Sequence, residues 1–299
     1  MIVMYTVHDM RGILGEDFFK DEVRCDYLVS AKMKRIWATL LDMYLSFSEV
    51  CDKYGLRYYL VWGSLLGAIR HSGFIPWDDD FDVAMPRDDY NRFLKMAKDD
   101  FQYPLFLQTP YSDPGYYVSW AKLRNSTTTA VNKKTNHRRF NQGLFFDIFP
   151  MDDCDTDKMV KEREEIYMRV KRMGVAMRHG NPCLSDSQLQ DEVSFWTDHP
   201  LIEFEEMEKI ASSHYGLNNY YVAVLTTGDV RKKVWPKHLF EKTLKHEFEG
   251  ISVVIPEGYE ELLTIQYGEF MDFPPIEQRG ATHADFILNP DKPYSDYLI

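Results

Sequence analysis

The sequence predicts an α+β protein, with a mixed sheet core and flanking helices in its first half and a more helical second half. From Lys32 to Tyr54, apolar residues recur every three or four positions, which indicates an amphipathic helix that ends at Gly55. Short runs rich in aromatic and β-branched residues, separated by turn residues, indicate strands between positions 57 and 149. After Asp153 the pattern becomes charged and helical.

The remaining elements of the first half follow in order. Residues 57–62 predict a strand, and residues 65–70 predict a short helix with Ser64 as its N-cap. Residues 81–85 predict a strand that Pro86 ends, and residues 88–97 predict a helix. Further extended segments are expected at residues 105–108, 116–123 and 144–149.

The second half predicts helices at residues 158–177 and 201–215, punctuated by Asn181-Pro182 and His199-Pro200. The last twenty-seven residues are expected to form irregular coil over the core. We therefore predict a core over residues 1–155 and a mainly helical portion over residues 156–299, packed on the core with a soft boundary or forming one domain with it.

Composition narrows the class of protein. The 299 residues are 44% hydrophobic, which is ample for a packed core, and the net charge is −12. Such an excess of acid repels nucleic acid and anionic lipid, so we expect no nucleic-acid partner and at most peripheral membrane contact. The amino terminus lacks the pattern of a signal peptide, and no run approaches ~18 apolar residues, so we expect a cytoplasmic protein.

Four separated cysteines without a CxxC pair predict neither a zinc knuckle nor a disulfide framework.

An unusual run of acids begins the second predicted strand: Asp78, Asp79, Asp80 and Asp82 lie within five residues. Side chains two apart on a strand share a face, so Asp80 and Asp82 point together while Phe81 points into the core. Carboxylates converging in a cleft suit a hard divalent cation, Mg²⁺ or Mn²⁺. The alternative is a solvated acidic turn.

A glycine and a serine, Gly63-Ser64, leave the preceding strand and begin the short helix. Glycine lets a phosphate approach the backbone, and a helix N-terminus offers unpaired N–H groups and a partial positive charge. The sequence therefore predicts a phosphate cradle beside the metal site. The alternative is an ordinary N-cap.

The stretch GSLLGAIRHSGFIPWDDDFDVAMPRDDY closely resembles the signature of the LicD family, which includes the fukutin-type enzymes. The block LFFDIFPMD from Leu144 and the ending from Gln266-Tyr267-Gly268 through Pro274-Pro275 to Lys292-Pro293-Tyr294 also resemble that family. The resemblance implies a nucleotidyltransferase-like fold with a metal site at Asp80 and Asp82.

The same resemblance implies a third carboxylate from a later strand, for which Asp147 is the candidate, as a metal ligand or as the base for an attacking hydroxyl. Asp78 shares the parity of Asp80 and Asp82 and is a weaker candidate ligand. Asp79 should point away and be dispensable. A turn-capping role is the alternative for Asp147.

Basic residues are needed to hold a diphosphate. Arg70 ends the short helix, and Lys122 and Arg124 share a strand face, so these three are the candidates, with surface solvation as the alternative. If the transferred group is choline, Tyr116, Tyr117 and Trp120 are candidates for an aromatic cage, with ordinary core packing as the alternative.

The resemblance implies a metal-dependent phosphotransferase. It would move a substituted phosphate, such as phosphocholine, from a CDP-linked alcohol donor to a sugar or glycolipid acceptor, as in lipopolysaccharide or teichoic acid modification. Two alternatives stay open: a nucleotidyltransferase acting on a small molecule, and a catalytically inactive module that binds a glycan or nucleotide. The transferred group, the acceptor, the number of metal ions and the oligomeric state do not follow from the sequence.

Overall fold

A computed structural model describes residues 8–154, 159–182, 195–217, 219–227 and 234–299 of the chain. The helices are α1 (Met10–Leu14), α2 (Ala31–Tyr54), α3 (Trp62–His71), α4 (Arg87–Met96), α5 (Met159–Arg178), α6 (Pro200–Ala211) and α7 (Tyr259–Tyr267). The strands are β1 (Glu22–Arg24), β2 (Tyr27–Val29), β3 (Tyr59–Leu60), β4 (Asp82–Pro86), β5 (Leu105–Gln108), β6 (Ala121–Asn125), β7 (Thr129–Asn132), β8 (Leu144–Cys154), β9 (Tyr221–Ala223), β10 (Val234–Pro236), β11 (Thr243–Phe248), β12 (Ile251–Pro256) and β13 (Phe286–Asn289).

Seven of these strands form one mixed sheet with β8 at its centre. Strand β4 runs parallel to β8, and β3 pairs antiparallel with β4. The first part of β8 pairs antiparallel with β6, which pairs with β5. Its last three residues pair with β9, which continues to β10. Because β8 is eleven residues long, it joins partners from both halves of the chain in one sheet.

Helix α2 packs against one face of this sheet and forms the main core with it. Its Phe47 ring meets Phe146 of β8 at 5.4 Å between centroids, and its Tyr44 ring meets Phe81 at 5.2 Å. The ends of α2 are determined locally. Ser30 accepts a hydrogen bond from the Met33 N–H at 3.2 Å, and Gly55 ends the helix in the left-handed conformation.

The sheet alternates its side chains between two faces. Phe81 and Phe146 face the buried side under α2, so their neighbours Asp82 and Asp147 face the opposite side. That opposite face carries the polar residues described below.

The second half contributes strands as well as helices. Helices α5 and α6 pack on each other around a small separate cluster that includes Ile166, Met173, Phe204 and Met207. The hairpin β11–β12 brings Phe248 onto Phe74 and Phe81, at 4.9 and 5.4 Å between ring centroids.

The predicted α+β class is confirmed, and so are the predicted helices at 32–54, 88–97, 158–177 and 201–215, within a few residues at their ends. The strand expected at 57–62 is only Tyr59–Leu60, because α3 already begins at Trp62. The extended segment expected at 116–123 lies at Ala121–Asn125 instead. The carboxyl-terminal segment is mostly irregular, as expected, but its β13 pairs with β7. The division of the chain near residue 155 into a core and a mainly helical portion stays a prediction.

Candidate active site

The run of acids lies at the start of β4 and lines a cavity of about 640 Å³. Asp78, Asp80 and Asp82 all contribute to its wall, whereas Asp79 does not. The common orientation of Asp78, Asp80 and Asp82 that strand alternation predicts is therefore confirmed. It extends to Asp78 and Asp80 even though they precede the first residue of the strand. Three carboxylates from one short segment face the same space.

Helix α3 begins at the same cavity, which Trp62 and Gly63 also line. A Cβ atom at position 63 would lie 2.8 Å from the Asp78 Oδ2 atom, so a larger residue there would require the Asp78 side chain to shift. The N-terminus of a ten-residue helix and three carboxylates thus share one cavity.

Ser64 has a different role from the expected one. The residue preceding α3 is Val61, and no side chain caps the helix. The Ser64 hydroxyl instead accepts a hydrogen bond from the Asp82 N–H at 2.8 Å. The N-cap assignment is therefore wrong, because the partner of this hydroxyl lies on β4, eighteen residues away in the chain. Ser64 ties the start of the helix to the strand that carries the acids.

The carboxylates disfavour one another's charge. Burial raises the pKa of Asp80 well above its usual value, and the charges of Asp82 and Asp78 raise it further. Burial also raises the pKa of Asp78, although hydrogen bonds, the first of them from the Thr282 hydroxyl, partly offset the rise. A positive charge between these groups would remove the penalty.

Asp147 lies beside Asp82, since the two residues are register partners on the parallel strands β8 and β4. On its other side, Lys122 of β6 is its antiparallel partner. The Asp147 Oδ1 atom accepts hydrogen bonds from the Lys122 ammonium and from the Trp120 indole, the latter at 2.8 Å. Burial lowers the pKa of Lys122 to about 8, with Arg124 contributing and Asp147 opposing the shift.

The three predicted basic residues are not brought together. Arg70 lines the cavity, and its Nη1 atom donates to the carbonyls of Phe270 at 3.0 Å and Asp272 at 2.8 Å. Lys122 and Arg124 are both buried, which excludes the surface-solvation alternative. Arg124 donates to the Gln108 side chain and, at 2.7 Å, to the Gly143 carbonyl, so it supports the sheet rather than the cavity.

The carboxyl-terminal segment supplies another part of the wall, which the sequence pattern alone did not assign. Tyr267, Phe270, Phe273 and Thr282 line the cavity there, together with Trp77 beside the acids. Although 42% of Tyr267 is exposed, burial of its hydroxyl and the charges of Asp82, Asp78 and Asp80 raise its pKa. The resemblance around Gln266-Tyr267-Gly268 was the available signal for this wall.

The expected aromatic cage at Tyr116, Tyr117 and Trp120 does not line the cavity. Tyr116 is buried and meets Phe140 edge to face at 5.7 Å between centroids. The Trp120 ring packs on Phe149 at 4.9 Å. Proximity to Lys122 in the chain favours a shared site for these residues, but none of the three lines the cavity.

Asp79 points away from the cavity, as expected, but into the protein rather than into solvent. Its side chain is only 1% exposed, and its Oδ1 atom accepts hydrogen bonds from the backbone N–H of His283 at 3.2 Å and from the His283 ring at 3.1 Å. These contacts argue against the expectation that Asp79 is dispensable.

The donor set of the cavity fits a divalent cation. Three short carboxylates offer oxygen ligands only, which hard cations prefer, and the charges of Asp82 and Asp78 add to burial in raising the pKa of Asp80. Asp78, Asp80 and Asp82 are therefore the residues that could hold the ion, whereas Asp147 is the register partner of Asp82 and does not itself line the cavity.

The fold and the site together describe an α+β domain that has an acid-lined cavity at the start of a helix, on a mixed sheet. Residues 55–182 match a family model described as "LicD/FKTN/FKRP, nucleotidyltransferase domain". The lipopolysaccharide cholinephosphotransferase LicD of Haemophilus influenzae is 30% identical over 248 residues, which cover 79% of this chain and 90% of that protein. The chain belongs to the LicD family.

More distant relatives share parts of the chain. An uncharacterized protein of Rickettsia prowazekii is 28% identical over 133 residues, covering 44% of this chain and 45% of that protein. Another uncharacterized protein, of Rickettsia typhi, is 42% identical over 63 residues, covering 21% of this chain and 18% of that protein.

Among the helices of the described ranges, none has the length and apolar character needed to cross a membrane. The cytoplasmic location stays a prediction.

Proposed function

We propose that this chain is a metal-dependent phosphotransferase that moves phosphocholine, or a similar substituted phosphate, from a CDP-linked alcohol to a sugar hydroxyl of a lipopolysaccharide or related glycoconjugate. The observation that carries the proposal is the cavity wall formed by Asp78, Asp80 and Asp82 beside the N-terminus of α3. The similarity to a cholinephosphotransferase over most of both chains supports the choice of transferred group.

In this proposal Asp80 and Asp82 hold Mg²⁺ or Mn²⁺, with Asp78 at the edge of the site. The bound cation would neutralise the diphosphate and the departing CMP. The chain's own groups do the positioning. Trp62 and Gly63 at the start of α3 present backbone N–H groups to a phosphate, and Ser64 keeps that turn in place against Asp82.

Arg70 supplies a positive charge at the cavity wall and at the same time holds the segment that faces the acids. A guanidinium in this position suits the phosphates of the donor. Lys122 has a different role, because its ammonium binds Asp147 and offsets part of the negative charge behind Asp82.

Asp147 has two possible roles in the proposal, as a third ligand or as the acceptor of the proton from the attacking hydroxyl. An Asp147→Asn variant distinguishes them. Loss of cation affinity, measured by titration calorimetry, identifies a ligand. Loss of turnover with unchanged cation affinity identifies the base.

A quaternary ammonium group would find aromatic rings in this cavity. Tyr267 and Phe270 line it together with the acids. Aromatic faces attract such cations by about 0.5–2 kcal/mol each. We therefore assign the choline head group to these two residues, in place of the three predicted from the sequence.

The test is product analysis. The purified chain is incubated with Mg²⁺, a panel of CDP-alcohols and candidate glycan acceptors, and CMP and modified glycan are quantified by mass spectrometry. CMP release that depends on both the cation and the acceptor supports the proposal. Pyrophosphate release from a nucleoside triphosphate would identify a nucleotidyltransferase, and no product from any donor would contradict transferase activity.

A further inference from the structure

Three potential metal ligands lie together at the acid run, one of them in the cavity wall and two outside it. Asp79, Asp80 and His283 each offer a ligand atom, and these atoms lie within 4.8 Å of one another. Ligands of a single Zn²⁺ ion at ~2.1 Å lie at most ~4.2 Å apart, so small side-chain shifts are enough to close the group around an ion.

The second observation is an oxygen atom without a partner. The Oδ1 atom of Asp79 is bonded to His283, but its Oδ2 atom is buried and has no hydrogen-bond partner among the described residues. The Asp79 side chain is 99% buried, since only 1% is exposed. Leaving a charged oxygen unsatisfied in the interior is unfavourable, and a cation would satisfy it.

The imidazole is also held in place. His283 meets Phe145 edge to face at 5.3 Å and Phe286 at 4.7 Å between ring centroids. Its backbone N–H donates to Asp79, which fixes the position of residue 283 against the acid run. Packing and hydrogen bonds that orient a histidine are typical of metal centres.

We propose that Asp79, Asp80 and His283 form a second cation site, which takes a transition metal ion such as Zn²⁺ rather than Mg²⁺. A set of one imidazole nitrogen and two carboxylate oxygens suits Zn²⁺ better than Mg²⁺, which prefers oxygen ligands and retains its waters. The site goes beyond the proposed transferase function, although it shares Asp80 with the cavity.

The site would have a structural consequence. His283 is 204 residues from Asp79, and its neighbour Thr282 donates to Asp78 at 3.0 Å. The carboxyl-terminal segment that lines the cavity is therefore attached to the acid run at this point. A bound ion would hold that wall of the cavity in place.

The test is metal binding by the intact chain, without reference to turnover. Equilibrium dialysis with metal analysis, in the presence of millimolar Mg²⁺, is expected to show one bound Zn²⁺ in the wild type. His283→Gln and Asp79→Asn should each weaken Zn²⁺ binding at least about tenfold, since even residues that only orient ligands contribute 10–100-fold. Zn²⁺ should also raise the Tm of the wild type and not that of His283→Gln.

His238→Gln is the matched control, because that histidine is 63% exposed and lies outside the group. Unchanged Zn²⁺ affinity in His283→Gln, or no Zn²⁺ bound by the wild type, overturns the proposal. If Asp79→Asn does not fold, the Zn²⁺ affinity of His283→Gln compared with that of the wild type is the deciding measurement. Asp82→Asn separates the two hypotheses: it should abolish transfer while retaining the Zn²⁺, so either proposal can fail without the other.

Discussion

Charged side chains cluster at both ends of strand β4, but the two groups are arranged in opposite ways. At its start, Asp80 and Asp82 lie together with Asp78, and burial and mutual repulsion raise the pKa of Asp80 well above its usual value. At its end, the Arg87 guanidinium donates to Asp152 at 2.6 and 2.8 Å and to Glu208 at 2.5 Å.

The difference separates a functional cluster from a structural one. Burial disfavours the charge of Arg87, but Asp152 and Glu208 more than compensate and raise its pKa. These contacts connect the start of α4, the end of β8 and α6. The acids at the other end border a cavity instead, where a ligand can reach them. Acids are paired with an arginine near the end of β4, where they join elements, whereas the acids near its start face a cavity.

The largest effect is expected for a substitution of Arg87, just beyond the end of β4, where the charges are paired. Arg87→Met should lower the free energy of unfolding by about 3–5 kcal/mol, because it leaves the buried Asp152 and the partly buried Glu208 without their partner. Chemical denaturation followed by circular dichroism measures this. Arg11→Met is the control, since the Arg11–Glu16 pair is 57% and 73% exposed and should contribute less than about 1 kcal/mol. Equal effects in both variants would contradict a structural role for the Arg87 cluster.

At the start of β4, a substitution in the acid run should reduce turnover rather than stability. Asp80→Asn is expected to reduce kcat about 100–1000-fold, comparable to losing a major electrostatic contact in an active site. Its stability without added cation should be equal to or higher than that of the wild type, because one of several like charges is removed. Asp88→Asn, an exposed acid just beyond the other end of β4, is the control. Retained activity in Asp80→Asn would refute the site.

A smaller effect is expected at the aromatic wall of the cavity. Tyr267→Leu should raise the KM for CDP-choline about tenfold, because the loss of one aromatic contact to a cation corresponds to about 1–2 kcal/mol. A CDP-alcohol with an uncharged head group should be much less affected. Steady-state kinetics with both donors measures the difference. Tyr220→Leu, at a residue that is 86% exposed, is the control, and equal losses for both donors would exclude an ammonium contact.

The smallest effect concerns His71, whose ring stacks on Phe273 of the cavity wall at 5.5 Å between ring centroids. Burial and the charges of Arg70 and Arg24 lower its pKa to about 4. Because the unfolded chain then binds the proton more tightly, the stability contribution is complete above pH ~6.5 and is lost as the pH falls from there toward 4. His71→Phe should flatten the pH dependence of Tm in this range. An unchanged profile would show that His71 is not held neutral.

Several features of this protein could be predicted because they depend on neighbours in the chain. The ends of α2 follow from Ser30 and Gly55 at its two ends. The common orientation of Asp78, Asp80 and Asp82 follows from backbone alternation. Local geometry and hydrophobic periodicity determine such features, so the α+β class and the acidic wall of the site were accessible from the sequence.

The tertiary structure decided every feature whose partner is distant in the chain. Ser64 binds the N–H of Asp82 instead of capping its own helix, and Arg124 supports the sheet instead of lining the cavity. His283 reaches Asp79 across 204 residues, and Asp147 lies beside Asp82 only because β8 pairs with β4 in that register. Sequence spacing gives no information about such contacts, because strand pairing and packing choose them among many sterically possible partners. The sequence determined which residues carry the charge, and the fold determined which charges are neutralised.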